Sequence, residues 1–227
     1  MGTNMKNFTR IVESVQNLTL LGSGAANVKE LLLALELAPR LFCADGGGNR
    51  ALAWGLVPEK VIGDLDSADL GELAAAGVET CFVDDQNSTD FEKCIAMLRA
   101  PVIIAVGFMG QRLDHQLAAL NALAKFPQQP VVLVDAVDIC FLCPPEFRLH
   151  LPMGTRFSVF PLVGGRCKSA GLEWPLDGLD LSPMGQIGTS NRVVSDTLTI
   201  EVLSGRHVCI LPKQYLSRVL AALAFID

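Results

Sequence analysis

The chain has 227 residues, of which 50% are hydrophobic and 19% charged, with 18 Lys and Arg against 24 Asp and Glu and a formal net charge of -6. This apolar content excludes a disordered or fibrous chain, and the length allows a substantial core without disulfides. No long basic run is present, so we expect no nucleic-acid partner, although a divalent metal could still join an acidic site to a polyanion.

The cysteine pattern indicates a reducing compartment. Their number, 7, is odd, and most lie in apolar runs such as residues 40–44, which suits buried thiols in a cytoplasmic protein. Cys140 and Cys143 form a lone C-x-x-C without the further ligands of a zinc site. Residues 1–9 lack the layout of a signal peptide, and no apolar run reaches the ~18–20 residues of a membrane span. We therefore expect a cytoplasmic location and no membrane association.

Short apolar runs alternate with helical patterns along the first part of the chain. The predicted strands are 17–21, 41–44, 60–62, 80–83, 102–106 and 131–134, and the predicted helices are 28–37, 49–54, 70–76, 90–98 and 113–125. Such alternation predicts a Rossmann-like α/β domain, placed at residues 1–145, whose mostly parallel sheet is covered on both faces.

The pattern changes after Pro144-Pro145. Alternating runs separated by glycine-containing turns predict an antiparallel β domain at residues 146–227. Its predicted strands are 156–160, 193–194, 197–203 and 207–211. Residues 214–225 have apolar side chains at helical spacing and are predicted to form an amphipathic C-terminal helix.

The segment Gly63-Asp64-Leu65-Asp66-Ser67 follows a predicted strand. In an extended backbone, Asp64 and Asp66 would face the same side and Leu65 would face the core. Two neighbouring carboxylates repel unless a cation bridges them or one is protonated, and a hard cation such as Mg²⁺ resolves this conflict. An Asp-rich turn that bonds its own backbone is the alternative interpretation.

Glycine follows Asp45 in Ala44-Asp45-Gly46-Gly47-Gly48-Asn49. The three glycines would let a ligand approach the backbone and its N–H groups, or they would only form a flexible turn. Because both this segment and residues 63–67 follow strands, we expect their polar side chains at one edge of the sheet.

Residues 86–93, Gln-Asn-Ser-Thr-Asp-Phe-Glu-Lys, begin a predicted helix. Ser88 or Thr89 can cap this helix, and its acidic first turn indicates a metal or a ligand amine beyond simple capping. Lys93 would reach a phosphate or lie on a solvated helix face. Further along, Arg112 offers a planar fork for phosphate, and His115 begins the next helix.

Two features of the second half could contact a ligand. Gly188-Thr189-Ser190-Asn191 is a compact polar turn. Trp174 would belong to the core or stack on a flat heteroaromatic ring.

Taken in order, five segments of the chain resemble the thiamine pyrophosphokinase family. They are residues 44–50, 62–67, 85–93, 110–115 and 188–191, and the resemblance covers roughly residues 17–211. It implies transfer of the pyrophosphoryl group of ATP to the hydroxyl of thiamine, which yields thiamine diphosphate and AMP. It also implies an α/β domain, a C-terminal β-sandwich and a homodimer whose active sites lie between subunits.

The resemblance also implies roles for individual residues. Asp45, Asp64, Asp66 and Asp90 would bind the Mg²⁺ that holds the triphosphate. Residues expected around the nucleotide and phosphates are Gly46, Asn49, Gln86, Thr89, Lys93, Arg112, Asp114 and His115. Ser190, Asn191 and Trp174 would hold thiamine.

Phosphoryl-type transfer depends on positioning and on charge stabilisation. Asp64, Asp66, Asp90, Arg112, Asp114 and His115 are the candidate catalytic residues, and either Asp114 or His115 would accept the thiamine proton. The alternatives are a Mg²⁺-dependent kinase of another small alcohol and a non-catalytic module that binds nucleotide or thiamine. The sequence departs from the family pattern at Asn87, often Asp, and at Gln111, often Gly.

Overall fold

The structure is a computed structural model, and it describes residues 8–224. Most of the N-terminal segment that we expect to lack a targeting signal lies outside this range, and so does Phe225 of the predicted C-terminal helix. The described strands, numbered in chain order, are β1 (Val12–Glu13), β2 (Leu18–Leu21), β3 (Arg40–Ala44), β4 (Lys60–Gly63), β5 (Glu79–Phe82), β6 (Leu98–Arg99), β7 (Ile103–Val106), β8 (Val131–Val134), β9 (Asp138–Leu142), β10 (Glu146–His150), β11 (Arg156–Val163), β12 (Cys167–Ala170), β13 (Gly188–Arg192), β14 (Thr197–Val202) and β15 (Arg206–Pro212). The α-helices are α1 (Val28–Leu37), α2 (Gly47–Ala53), α3 (Leu70–Ala75), α4 (Asp90–Met97), α5 (Leu113–Lys125) and α6 (Leu216–Leu223).

Ten strands form one continuous sheet in the order β13-β11-β15-β9-β8-β7-β2-β3-β4-β5. The six strands β8, β7, β2, β3, β4 and β5 are parallel to their neighbours among these six. The other four, β9, β15, β11 and β13, pair antiparallel. From β2, the strands β3, β4 and β5 follow on one side, and β7 and β8 follow on the other. The boundary between β2 and β7 is therefore the switch point at which open α/β sheets bind ligands. The predicted α/β class is confirmed.

Local sequence signals explain where the helices begin. Asn27 and Thr89 each accept a hydrogen bond from the backbone three residues on, and Glu30 and Glu92 bond back to complete two capping boxes. These caps satisfy backbone donors that a helix start leaves unpaired. Helix α3 ends before Gly77, whose φ of 72° suits the residue after a helix end.

The second half forms a β-sandwich. A separate sheet, β10-β14-β12, packs against the antiparallel end of the large sheet, and both contribute to one core that includes Phe147, Phe157, Ile200 and Cys209. Helix α6 packs against β10. The large sheet runs across residue 145, so the division into residues 1–145 and 146–227 stays a prediction.

The strand predictions in the second half were incomplete. The expected strand at Val193-Val194 was wrong, because β13 ends at Arg192 and only an isolated bridge joins Val193 to Leu172. Four strands with polar or short patterns, β9, β10, β12 and β13, were not predicted. The C-terminal helix begins at Leu216, after a 3-10 turn at Lys213–Tyr215.

All seven cysteines are unpaired, and six of them are buried. Burial raises the pKa of the Cys140 thiol to about 12, which keeps it protonated and unreactive. None of the helices within residues 8–224 combines the length and hydrophobicity that crossing a membrane requires.

Candidate active site

Three carboxylates meet at the carboxyl ends of β3 and β4. Asp45 follows β3, and Asp64 and Asp66 follow β4; one oxygen from each lies within 4.8 Å of the others. Asp45 is buried, and its carboxylate accepts a hydrogen bond from the Ser67 amide at 3.3 Å. Burial is the main cause that raises the pKa of Asp45. Strand order therefore brings together side chains that are 21 positions apart in the sequence.

The backbone that joins Asp64 to Asp66 is not extended, which corrects the sequence prediction. Leu65 has a φ of 58°, in the left-handed region, and its side chain is only partly buried against the core. Asp45 also has a positive φ, 44°. Non-glycine residues adopt this region at a cost of about 1–2 kcal/mol, so both loops are held in place by their surroundings.

Lys93 is a buried cation beside the carboxylate cluster. Its side chain is only 1% exposed, and its Nζ donates to Asp64 Oδ2 at 3.0 Å and to Asp90 Oδ1 at 2.8 Å. The alternative that Lys93 lies on a solvated helix face was therefore wrong. The i, i+3 spacing of Asp90 and Lys93 on one helix was the available signal.

The buried ion pairs determine the charge states around Asp64. The hydrogen bond from Lys93 is the main cause that lowers the pKa of Asp64. Burial disfavours the charged ammonium, but its bonds to Asp90 and Asp64 outweigh this, so the pKa of Lys93 is raised. Asp64 is thus held ionised beside the other two carboxylates.

Asp90 lies beside the three-carboxylate cluster rather than within it. One of its oxygens accepts from both Lys93 and the Asp64 amide, at 2.8 and 3.3 Å. Asp90 therefore acts on Asp64 through Lys93 and the backbone.

Two other residues predicted near the nucleotide lie in the segment before α4 or at its start. The hydroxyl of Thr89 accepts a hydrogen bond from the Glu92 amide as the cap of α4, and Gln86 is exposed.

The glycines after Asp45 allow close packing of α2. A Cβ on Gly47 would lie 2.4 Å from the Leu21 carbonyl oxygen, so a side chain does not fit between α2 and β2. The amide of Asn49 donates to the Asp69 carbonyl and to Glu72, and its oxygen accepts from the Asp69 amide. Asn49 thus joins α2 to α3. Gly46 precedes α2 and lies against Ser67.

Arg112, Asp114 and His115 are exposed at the start of α5. Two nitrogens of the Arg112 guanidinium bond to the two oxygens of Asp114 at 2.6 and 3.1 Å. The hydrogen bond from Arg112 is the largest cause that lowers the pKa of Asp114, to about 2. At neutral pH this carboxylate is ionised and bonded to Arg112.

We expect Arg112→Gln to raise the pKa of Asp114 from about 2 towards ~3.9, the ordinary value of an aspartate. The substitution removes both hydrogen bonds from the guanidinium. NMR titration of the carboxyl carbon measures the change, and Arg166→Gln, on another exposed pair with Asp180, is the matched control. An unchanged pKa in Arg112→Gln would show that Arg112 does not hold this carboxylate.

The predicted thiamine residues are neighbours in the structure. Asn191 is buried; its side-chain oxygen accepts from the Trp174 amide at 3.2 Å, and its nitrogen donates to the Trp174 carbonyl at 2.6 Å. Ser190 has a φ of 55° and is exposed on the edge strand β13. Trp174 is 56% exposed, with the Arg192 guanidinium 6.0 Å from its ring centroid. Asn191 therefore positions an indole that faces solvent.

The residues present suit a magnesium ion. Among residues 8–224, Asp45, Asp64 and Asp66 form the only group of three or more acidic, Cys or His ligands close enough to share an ion. Carboxylate oxygens are the ligands that Mg²⁺ prefers, and one salt-bridged lysine does not neutralise three carboxylates. Fold and site together define an α/β protein with an acidic, metal-type site and a sandwich that presents an exposed indole.

The comparisons with known proteins agree with that class. The family model for the thiamin pyrophosphokinase catalytic domain matches residues 32–134, and the model for the vitamin B1 binding domain of the same family matches residues 144–207. The chain is 30% identical over 212 residues to thiamine pyrophosphokinase 3 of Oryza sativa subsp. japonica, covering 74% of this chain and 79% of that protein. The chain belongs to the thiamine pyrophosphokinase family.

A further relative supports this assignment, and solved structures share the fold. Thiamine pyrophosphokinase 1 of Arabidopsis thaliana is 28% identical over 204 residues, covering 74% of this chain and 76% of the relative. The fold matches that of yeast thiamin pyrophosphokinase with a TM-score of 0.74 at 16% identity, covering 99% and 93% of the two chains. The enzyme from Geobacillus thermodenitrificans gives 0.72 at 19% identity, with 87% and 97% covered.

Proposed function

We propose that this chain is a thiamine diphosphokinase, which transfers the pyrophosphoryl group of ATP to the hydroxyl of thiamine and releases AMP. The observation that carries the proposal is the meeting of Asp45, Asp64 and Asp66 at the carboxyl ends of β3 and β4. Membership of the family supplies the reaction and its substrates, and the carboxylate cluster supplies a place where a metal-bound triphosphate can be held.

Asp45, Asp64 and Asp66 would hold Mg²⁺, and Asp90 would support them through Lys93 and the Asp64 amide. When bound, the ion would neutralise phosphate charge and orient the transferred group, as in other phosphoryl-transfer enzymes. Lys93 keeps Asp64 ionised and fixed, so the ligand set does not need to reorganise when substrate arrives.

The remaining residues would act on the substrates. Arg112 would exchange Asp114 for phosphate oxygens, since its guanidinium is exposed and presents a fork that matches them. His115 or Asp114 would accept the hydroxyl proton of thiamine. Gly46, Asn49, Gln86 and Thr89 would contribute to the binding of the nucleotide.

On the sandwich side, Trp174 would stack on the pyrimidine of thiamine, and Ser190 and Asn191 would shape the same subsite. We expect Trp174→Ala to raise the KM for thiamine by about tenfold, because base–aromatic contacts contribute roughly 1–3 kcal/mol. The KM for ATP and the free energy of unfolding should stay unchanged, since the indole is 56% exposed. Steady-state kinetics with each substrate varied would measure both KM values.

The control for this prediction is Met184→Ala, which removes another exposed apolar side chain of the same half, one that is 100% exposed. It should leave both KM values unchanged. If Trp174→Ala also left the KM for thiamine unchanged, the indole would have no part in the subsite.

One assay separates the proposed reaction from its alternatives. Purified protein is incubated with ATP, Mg²⁺ and thiamine, and nucleotides and thiamine esters are separated by chromatography. AMP and thiamine diphosphate in equal amounts support the proposal. ADP with thiamine monophosphate, or turnover only with another alcohol, would indicate a different kinase, and binding without any product would indicate a non-catalytic module.

We also propose a cytoplasmic homodimer in which each active site uses residues of both subunits. Seven unpaired cysteines suit a reducing compartment. An exposed edge strand, β13, beside Trp174 leaves a surface that a second subunit could complete. Light scattering after size-exclusion chromatography would test the dimer: a monomeric mass in a fully active sample would contradict it.

A further inference from the structure

A cavity lies on the opposite face of α4 from the three-carboxylate cluster. Asp90 and Lys93 point from α4 towards Asp64, whereas Glu92 and Ile95 line a cavity of about 1090 Å³. This cavity lies between α4 and the C-terminal half of α5, and the tips of β11 and β15 close one side. It contains none of the three clustered carboxylates and is therefore a separate site.

Among the described residues that line this cavity, cations outnumber carboxylates, in a protein whose net charge is -6. The cations are Arg10, Arg99, Lys125 and Arg206, and the carboxylates are Asp85 and Glu92. Lys125 pairs with Glu92 at 2.5 Å, and Arg10 pairs with Glu13 at 3.2 Å. Arg99 and Arg206 remain as the cations of the cavity that would attract an anion.

Arg99 and Arg206 are held in place without being neutralised. Arg99 donates to the Gln128 carbonyl, just after α5, and Arg206 donates to the Ala124 carbonyl in the last turn of α5. Within residues 8–224, neither forms an ion pair with a carboxylate. Each half-buried guanidinium retains further N–H donors, in the planar arrangement that suits phosphate oxygens.

The rest of the lining suits a ligand whose anionic group is attached to an organic group. Phe126, Ile95 and Leu98 supply apolar surface, and Asn121 supplies an amide. The volume of about 1090 Å³ is slightly above the roughly 300–1,000 Å³ of typical small-molecule sites and accommodates a molecule of nucleotide size. We propose that this cavity binds a small organic phosphate, with Arg99 and Arg206 on the phosphate and an apolar or aromatic body against Phe126.

The test uses the full chain with AMP as the probe, in EDTA, so that no divalent ion recruits nucleotide to the carboxylate cluster. Calorimetric titration should show AMP binding that weakens at least tenfold in the double variant Arg99→Gln/Arg206→Gln. The control Arg166→Gln, an exposed arginine outside the cavity, should bind AMP as the unmodified chain does. Equal AMP binding in the double variant and the unmodified chain would overturn the proposal.

Because both arginines also bond to the end of α5, a direct measurement on the unmodified chain accompanies the variants. In ¹⁵N spectra, AMP should shift the side-chain amide of Asn121 and the backbone amides of residues 124–126 and 128, and inorganic phosphate should shift the amides around Arg99 and Arg206. Shifts confined to residues around Asp64 would overturn the proposal. Neither measurement involves turnover, so its failure leaves the proposed reaction untouched.

Discussion

Asp66→Asn is expected to reduce turnover by on the order of 10³-fold while leaving the protein folded. Asp66 is exposed, and its carboxylate accepts a hydrogen bond at 3.0 Å from the neighbouring Ser67 hydroxyl, which an asparagine oxygen can also accept. The free energy of unfolding should therefore change by less than about 0.5 kcal/mol. Activity is measured as AMP release with saturating ATP, Mg²⁺ and thiamine, and stability by urea unfolding.

The matched control for Asp66→Asn is Asp180→Asn, which removes an exposed carboxylate that pairs with Arg166 in the second half of the chain. It should keep full activity, because an exposed pair of this kind contributes little to stability and lies outside the carboxylate cluster. Full activity in Asp66→Asn as well would refute the role of Asp66 in holding metal.

Lys93→Met is expected to lose both activity and stability. The ammonium is nearly inaccessible and bonds to Asp64 and Asp90, so its removal leaves two carboxylates facing each other without a cation. Removing one partner from a buried pair costs about 3–5 kcal/mol, and we expect the lower end because both carboxylates retain some exposure. Urea unfolding measures the loss, and AMP release should fall at least about a hundredfold.

A second substitution separates charge from packing at this position. Lys93→Met/Asp90→Asn removes the repulsion and should recover at least half of the lost stability, without recovering activity. Lys168→Met, which breaks an exposed pair with Glu201, should cost less than about 1 kcal/mol and serves as the control. A single variant Lys93→Met as stable as the unmodified chain would show that the buried pairs do not support the fold.

The sequence predicted the α/β half well, for reasons that belong to particular residues. Capping side chains at Asn27 and Thr89 mark the starts of α1 and α4, and Gly77 marks the end of α3. The buried parallel strands are continuous apolar runs, because helices cover both of their faces. Local propensity and tertiary packing therefore favour the same elements in this half.

The second half was harder because its strands have weak local signals. Strand β9 begins at Asp138 and β10 alternates charged and apolar residues, and each is defined by its partners β15 and β14. Gly188–Arg192 is typical of a turn, yet it pairs with β11 as an edge strand. Pairing between distant segments determines these elements, and a local pattern does not contain that information.

The sequence likewise predicted some features of the candidate site and not others. That Asp45, Asp64 and Asp66 would meet followed from strand ends sharing one sheet edge. The burial of Lys93 did not follow, because it depends on how α4 packs against β4. The left-handed backbone at Leu65 and the pairing of Arg112 with Asp114 were likewise not predicted, since each depends on contacts that form only in the folded chain.

Crystals of the protein soaked in MnCl₂ would give the most direct measurement, an anomalous difference map recorded near the manganese absorption edge. The account predicts a peak bonded to the carboxylates of Asp45, Asp64 and Asp66, and it predicts that Asp66→Asn crystals lose or weaken that peak. A map in which manganese binds elsewhere, with these three carboxylates turned away from one another, would contradict the account.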